Sequence, residues 1–304
     1  MLEEVPIPSL DEAVINALDM LTKTKLPKIN TNFKRPLLIG SGNAFAAAKI
    51  IFKDKEAVFA DESSYLEEIN LKKFDISILI SASGSKHAGE IAKNLKKKNL
   101  KMQLWTSNPS APAITQAGLS KKEVKLFPSL KEPYTYNIST YASMILSKTK
   151  ENPKQINELI KQTSKAIPAD ISNYSGYYII LPKKFHQLTG MIRTKFEELF
   201  GLALPYMVFT DEQLKHAKDV IVVNNLASIE FGELSYHARG ASQIKIALSR
   251  NTKEAALMLV SYFVIGKIQA SKPPYFKENI RVYCEDASKV FGKKIGPWVD
   301  YKGS

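Results

Sequence analysis

The chain is poor in cysteine and histidine. Its 304 residues include one cysteine, Cys284, and four histidines. A single thiol can form neither an intrachain disulfide nor a thiolate metal cluster, which fits a reducing compartment, so we expect a cytoplasmic protein. The histidines are scattered and lack HExxH spacing. We therefore predict no metal ion and no cofactor.

Long apolar runs are also absent. Apolar stretches such as 36–40 and 177–182 are far shorter than the roughly 20 residues that a membrane-spanning helix needs. The first residues are acidic and do not resemble a signal peptide. The sequence therefore gives no indication of a membrane partner.

Acidic residues are outnumbered by basic ones. The chain has 43 lysines and arginines against 30 aspartates and glutamates, a formal net charge of +13. The basic residues are spread over the whole sequence, and there is no arginine-rich arm or aromatic ribonucleoprotein signature. Nucleic acid is therefore not the favoured partner, whereas a small anion such as a sugar phosphate would be attracted by a positive field.

Short apolar strands alternate with helical patterns along the chain. This alternation predicts an α/β fold with parallel sheets and helices on both faces. The length suits two domains, which we place at residues 1–150 and 151–304, with a connection in the polar segment 148–175. The predicted strands are 36–39, 57–60, 75–80, 102–106 and 124–127 in the first half, and 177–181, 219–223 and 244–248 in the second.

Two strand-to-helix junctions carry small and hydroxyl-bearing residues: Gly40-Ser41-Gly42-Asn43 and Ser81-Ala82-Ser83-Gly84-Ser85-Lys86. In open α/β sheets ligands bind at the carboxyl ends of strands, where free amides and a helix dipole favour an anion. Neither junction has Walker or GxGxxG spacing. The alternative, a helix cap with a tight turn and no ligand, remains open for both.

Four segments resemble the SIS (sugar isomerase) family. Residues 80–86 resemble its S-x-S-G-x-T loop, 38–43 its first glycine–serine loop, 105–112 its TSNPxSP segment and 132–141 its glutamate-to-threonine loop. The resemblance implies two SIS-type domains of flavodoxin-like, three-layer αβα architecture, each with a mainly parallel five-stranded sheet. Lys86 stands where the family has threonine.

The resemblance also implies which residues would bind the phosphorylated sugar. The second half has no such serine loop, so we expect one phosphate site per chain. Members of the family commonly dimerise, which implies a homodimer. The implied substrate-binding residues are Gly40, Ser41, Gly42, Asn43, Ser81, Ser83, Gly84, Ser85, Lys86, Glu132, Ser139 and Thr140.

An acid–base pair is suggested in the second half. Segments 195–201 and 211–216 resemble the glutamate and E-L-K-H arrangement of phosphosugar isomerases, including the isomerase half of glucosamine-6-phosphate synthase. The resemblance implies that a glutamate moves a proton between C1 and C2 while His216 helps to open the sugar ring. Either Glu197 or Glu198 fits the role. The alternative is that both are surface glutamates and that His216 is an exposed loop residue.

The favoured function is a cofactor-independent phosphosugar isomerase that interconverts an aldose and a ketose phosphate of the glucose 6-phosphate and fructose 6-phosphate type. A carboxylate with a raised pKa suits the proton transfer this needs. Two alternatives stay open: a non-catalytic sugar-phosphate-binding protein that acts as a sensor, and an aminosugar-phosphate deaminase or deglycase.

Overall fold

The structure, a computed structural model, describes residues 6–71, 73–85 and 87–301. Helices and parallel strands alternate, as predicted. The helices are α1 (Leu10–Lys23), α2 (Asn43–Ile51), α3 (Tyr65–Leu71), α4 (His87–Lys97), α5 (Pro112–Gln116), α6 (Ile138–Thr149), α7 (Pro153–Ala166), α8 (Leu188–Phe200), α9 (Asp211–Leu214), α10 (Glu254–Ser271) and α11 (Tyr275–Phe291). The strands are β1 (Leu37–Ile39), β2 (Val58–Ala60), β3 (Ser77–Ile80), β4 (Met102–Thr106), β5 (Val124–Leu126), β6 (Glu132–Pro133), β7 (Gly176–Leu181), β8 (Tyr206–Thr210), β9 (Leu226–Phe231), β10 (Ser242–Ile246) and β11 (Trp298–Val299).

The chain forms two compact units that exchange terminal segments. One unit comprises α1 as far as Thr22 together with Glu151–Asp286, and the other comprises Lys23–Lys150 together with the chain from Ala287 onwards. We call them the acid–base unit and the loop unit. Their boundary between residues 150 and 151 is where we divided the sequence, but the two terminal segments lie in the opposite unit from the predicted halves.

The loop unit contains a five-stranded parallel sheet with the order β2-β1-β3-β4-β5. Every residue of β1 and β3 is buried, as expected for central strands covered by helices on both faces. Apolar side chains from β1, β3, β4 and α4 form one core cluster against the sheet. The C-terminal segment adds β11, which pairs antiparallel with β6.

The acid–base unit contains a four-stranded parallel sheet with the order β10-β9-β7-β8, one strand fewer than predicted. Helix α10 is buried along almost its whole length. Helix α1 packs tightly against it, because a Cβ on Gly266 would lie 2.0 Å from the Asp11 amide nitrogen. Lys267 Nζ is 2.8 Å from Asp11 Oδ2, and the Leu10 amide donates to Gln269 Oε1 at 2.7 Å.

The predicted strand at 219–223 was wrong. Its four aliphatic residues from Val220 to Val223 are exposed and irregular, and the strand is β9, a few residues later. The reason is that β9 buries two polar side chains, Ser228 and Glu230, which interrupt the apolar run that marks a buried strand. The strand predicted at 244–248 lies two residues earlier, as β10.

Candidate functional site

The serine loop follows β3 and leads into α4, at the carboxyl edge of the loop unit's sheet. The last residue of the neighbouring strand β4 and the two residues that follow it fix the backbone of this loop. Thr106 Oγ1 and the Ser107 amide donate to the Ala82 carbonyl at 2.9 and 3.1 Å, and Asn108 Nδ2 donates to the Ser83 carbonyl at 3.0 Å. The TSNPxSP-like segment therefore holds the serine loop in place.

Gly84 is required at the centre of this loop. Its φ of +60° is in the left-handed region, and an added Cβ would lie 2.4 Å from Ala111 Cβ. The Gly84 carbonyl also accepts a hydrogen bond of 3.0 Å from the Ala113 amide. Only glycine fits this close approach without strain.

All three loop hydroxyls take part in hydrogen bonds within the loop. Ser81 Oγ accepts from the Gly84 amide at 3.1 Å, and Ser83 Oγ lies 2.7 Å from Ser85 Oγ. A hydroxyl that accepts a hydrogen bond keeps its own O–H to donate. The loop thus presents donors beside the N-terminus of the 11-residue helix α4. Lys86, predicted to add charge here, lies outside the described residues.

A lysine that the sequence did not indicate reaches this loop. Lys293, just after α11, places Nζ 2.8 Å from Ser85 Oγ. Its segment is anchored by β11 and by the Tyr134 amide, which donates to the Pro297 carbonyl at 2.8 Å. No local motif marks Lys293, because its position depends on a contact 208 residues away in sequence.

The first glycine–serine loop is less suited to an anion. Gly42, with φ +52°, precedes α2, and Ser41 Oγ donates a short hydrogen bond to the Glu62 carboxylate. A carboxylate at the hydroxyl would repel a phosphate. Gly40 and Asn43 are buried, and Asn43 Oδ1 has no hydrogen-bond partner among the described residues.

Hydrogen bonds within the glutamate-to-threonine loop hold it in its conformation. The Ser139 amide donates to Glu132 Oε1 at 2.9 Å, while Ser139 Oγ accepts from the Leu130 amide at 3.0 Å. Glu132, Ser139 and Thr140 are all buried. In this conformation they shape the loop, and their contact with a ligand stays a prediction.

The two candidate glutamates in the acid–base unit have different surroundings. Glu197 is exposed and accepts a 2.8 Å hydrogen bond from the Tyr206 hydroxyl. Glu198 keeps 24% of its side chain exposed and lies 2.6 Å from Nζ of the fully buried Lys195. Burial raises the pKa of Glu198 above its usual value, although the Lys195 charge opposes this shift. This upward shift of its pKa suits the Glu198 carboxyl group to proton transfer.

The candidate histidine is exposed. His216 follows α9, and its amide donates to the Gln213 carbonyl at 3.2 Å. The structure instead shows another carboxylate–histidine pair that the sequence did not indicate: His237 Nδ1 is 2.7 Å from Glu230 Oε2. Glu230 is buried in β9 and also accepts from Ser228 Oγ at 2.9 Å. The sequence could have indicated this pair only through the general rule that a buried charged side chain needs a partner.

Metal-ligand clusters and membrane-spanning helices are both absent from the part of the chain that the structure describes. No group of three or more His, Cys, Asp or Glu side chains there could hold a metal ion. Among the helices described, none has the length and apolar character to cross a membrane.

Comparisons with known proteins identify the fold. No family model matches the sequence, and no curated protein matches it. Among solved structures, a proposed sugar binding protein of Salmonella typhimurium LT2 has a TM-score of 0.62 at 10% identity, over 87% of this chain and 98% of that chain. Glucosamine-6-phosphate deaminase of Thermotoga maritima has a TM-score of 0.61 at 14% identity, over 88% and 93%. Tagatose-6-phosphate ketose/aldose isomerase of Escherichia coli has a TM-score of 0.56 at 14% identity, over 88% and 89%.

The fold is therefore the SIS-type α/β fold that these solved structures share, with parallel sheets of five and four strands. At such low identity the likeness establishes the architecture. The functional argument depends on the side chains.

Proposed function

We propose that this protein binds a phosphorylated sugar on the serine loop and interconverts its aldose and ketose forms. The observation that carries the proposal is the contact of the Lys293 ammonium with Ser85 Oγ, in a loop whose hydroxyls already cluster at a helix N-terminus. Serine hydroxyls, an ammonium and a helix N-terminus together favour a phosphate dianion. A bound phosphate would replace the bond between Ser83 and Ser85 with bonds to its own oxygens.

The proposed reaction moves one proton between neighbouring carbons. With the sugar in its open-chain form, the Glu198 carboxylate takes the proton from C2 of the aldose as the C1 carbonyl oxygen takes up a proton from water, which gives an enediol. Glu198 then returns its proton to C1 while the C2 hydroxyl releases its proton to water and becomes the carbonyl. The raised pKa of Glu198 supports this step, because a base of ordinary glutamate pKa would be weaker. His216 remains the predicted group for ring opening.

Binding is tested first. We expect Ser83→Ala combined with Ser85→Ala to weaken fructose 6-phosphate binding by at least tenfold, about 1.4 kcal/mol, in calorimetry. Ser164→Ala, which removes an exposed hydroxyl from the other unit, serves as the control and should leave the affinity unchanged. Equal affinity in the double variant and the wild type would refute the loop assignment.

Turnover is tested by isotope exchange. In D2O, NMR should show deuterium entering C1 or C2 of fructose 6-phosphate. We expect Glu198→Gln to abolish this exchange and Glu197→Gln to retain it, because burial raises the pKa of Glu198, whereas Glu197 is an exposed side chain. The reverse result would assign the base to Glu197. Binding of common sugar phosphates without any exchange would instead support the sensor function.

A homodimer and a cytoplasmic location belong to the same proposal. The resemblance to the SIS family supports the dimer, and the single cysteine supports a reducing compartment. Light scattering during gel filtration would show a mass near 68 kDa for a dimer, about twice the 34.0 kDa chain mass. A monomeric mass at micromolar concentration would contradict the dimer.

A further inference from the structure

A cleft lies at the carboxyl edge of the acid–base unit's sheet. It has a volume of about 820 Å³, large enough for a small metabolite. Residues that follow all four strands line it, with Pro182 after β7, Asp211 after β8, Gly232 after β9 and Ala247 after β10. This edge is where open parallel sheets bind ligands, yet no residue predicted for the sugar-phosphate site lines the cleft.

Four basic side chains line the cleft: Lys183, Lys184, Lys215 and Arg250. Glu212 engages Lys215, with the carboxylate oxygen 3.1 Å from Nζ. Lys183 and Arg250 are exposed and form no ion pair within the described part of the chain. These two cations are therefore available to a ligand.

Three acidic side chains line the cleft beside the four basic ones, so the lining keeps one net positive charge. Asp211 is buried, and its Oδ2 accepts from the Ser235 hydroxyl at 2.6 Å and the Ser235 amide at 2.9 Å. Burial acts to raise the pKa of Asp211, but hydrogen bonds from Ser235 and from the Glu212 and Lys183 amides outweigh it and lower the pKa. Asp211 thus organises the cleft wall, and Glu233 is the acidic lining residue left without such a bond.

The spacing of the cations limits the ligand. Lys183 and Lys184 follow β7 and Arg250 follows β10, and these strands are separated by β9. With about 4.8 Å between neighbouring strands, the two groups of cations start roughly 10 Å apart. A molecule with an anionic group at each end matches this separation, whereas a single phosphate would require both long side chains to converge on one point.

We propose that this cleft is a second ligand site, which binds a small bisphosphorylated metabolite between Lys183 and Arg250. The hydroxyls nearby are already used, since Ser235 bonds to Asp211 and Ser249 Oγ lies 3.1 Å from Thr252 Oγ1. Recognition therefore depends on side-chain charge. Binding should weaken steeply with salt, because exposed charges are screened within about 8 Å at physiological ionic strength. The site goes beyond the proposed isomerase activity and does not depend on it.

Calorimetry with fructose 1,6-bisphosphate tests the proposal in the Ser83→Ala/Ser85→Ala variant, where the serine loop is disabled. We expect one bisphosphate to bind per chain at low salt. Adding Lys183→Gln with Arg250→Gln should weaken this binding more than tenfold. Lys165→Gln, a substitution of an exposed lysine on α7 outside the cleft, should leave it unchanged.

Three results would overturn the proposal: no bisphosphate binding in the loop variant, equal affinity with and without the two cations, or an equal loss in Lys165→Gln. Thermal melting of each variant shows that it is folded. Fructose 6-phosphate binding to Lys183→Gln/Arg250→Gln in an otherwise wild-type chain reports separately on the serine loop. Failure of the proposed function would therefore appear in the fructose 6-phosphate measurement and not in the fructose 1,6-bisphosphate measurement.

Discussion

Lys195 Nζ lies 2.6 Å from Glu198 Oε2, one helical turn away on α8, and the Lys195 side chain has no exposed surface. Burial raises the pKa of Glu198, while the charge and hydrogen bond of Lys195 lower it. Lys195 therefore limits how far the pKa of Glu198 rises above that of an ordinary glutamate.

Removing the Lys195 charge should raise the pKa of Glu198 further. We expect Lys195→Met to move the Glu198 titration to higher pH in carboxyl ¹³C NMR, since the opposing charge is lost and the burial remains. The acidic limb of any isomerase activity should move in the same direction. Lys161→Met is the control, because it removes one lysine charge from an exposed pair whose partner, Glu158, is 65% exposed and screened by solvent. It should leave the Glu198 titration unchanged. An unchanged or lowered Glu198 titration would contradict the role given to Lys195.

The Lys293 contact predicts an effect on binding. Lys293→Ala should weaken fructose 6-phosphate binding about tenfold or more, because a cation at Ser85 Oγ is lost. Lys294→Ala changes the net charge equally at the adjacent exposed position and should have little effect. Similar losses in both variants would mean that general charge attraction, and not the position of Lys293, determines affinity.

Alanine substitutions at two glycines distinguish the loss of stability caused by a left-handed backbone from the loss caused by steric crowding. Gly118 and Gly84 both have φ +60°, but a Cβ on Gly118 meets no atom within 4 Å. Gly118→Ala should destabilise the protein by about 1 kcal/mol through the left-handed conformation alone. Gly84→Ala should cost a further ~1–3 kcal/mol from the contact with Ala111. Urea unfolding measures both, and equal values would show that the loop relaxes freely.

An acid-sensitive ion pair lies in the loop unit. A hydrogen bond from Lys96, with those from the Ser120 amide and hydroxyl, lowers the pKa of Glu123 from 4.5 to about 2. A carboxyl group whose pKa is lowered by folding stabilises the folded state above the unfolded-state pKa, and this contribution is lost as the pH falls. The melting temperature of Glu123→Gln should therefore lie below that of the wild type at pH 6, and the difference should shrink between pH 4.5 and 2. A difference independent of pH would refute the assignment.

The sequence predicted the parts of the fold and site that depend on local pattern. The apolar run before Ser81 and the small residues after it identified β3, the loop and α4. The pair Glu197 and Glu198 was found by resemblance, but their different surroundings depend on the neighbours Tyr206 and Lys195. Sequence spacing gives no measure of which carboxyl group is buried.

The features that were missed depend on burial of polar groups or on distant contacts. Glu230 sits in the middle of a strand and is almost fully buried, so a pattern based on apolar residues placed the strand in the exposed segment 219–223 instead. The cleft beside Lys183 and Arg250 is lined by residues from four separate loops. No short motif encodes such an arrangement.

The exchange of terminal segments has a practical consequence for anyone dissecting this protein. A fragment ending at residue 150 would keep the serine loop but lose Lys293 and β11, and it would carry α1 without its partner helix α10. The complementary fragment would expose the surface of α10 that α1 covers. Splitting the gene in the middle thus leaves neither product whole. A gene that joins residues 151–286 to residues 1–22 through a linker, or residues 23–150 to the segment from 287 onwards, keeps the segments of one unit together.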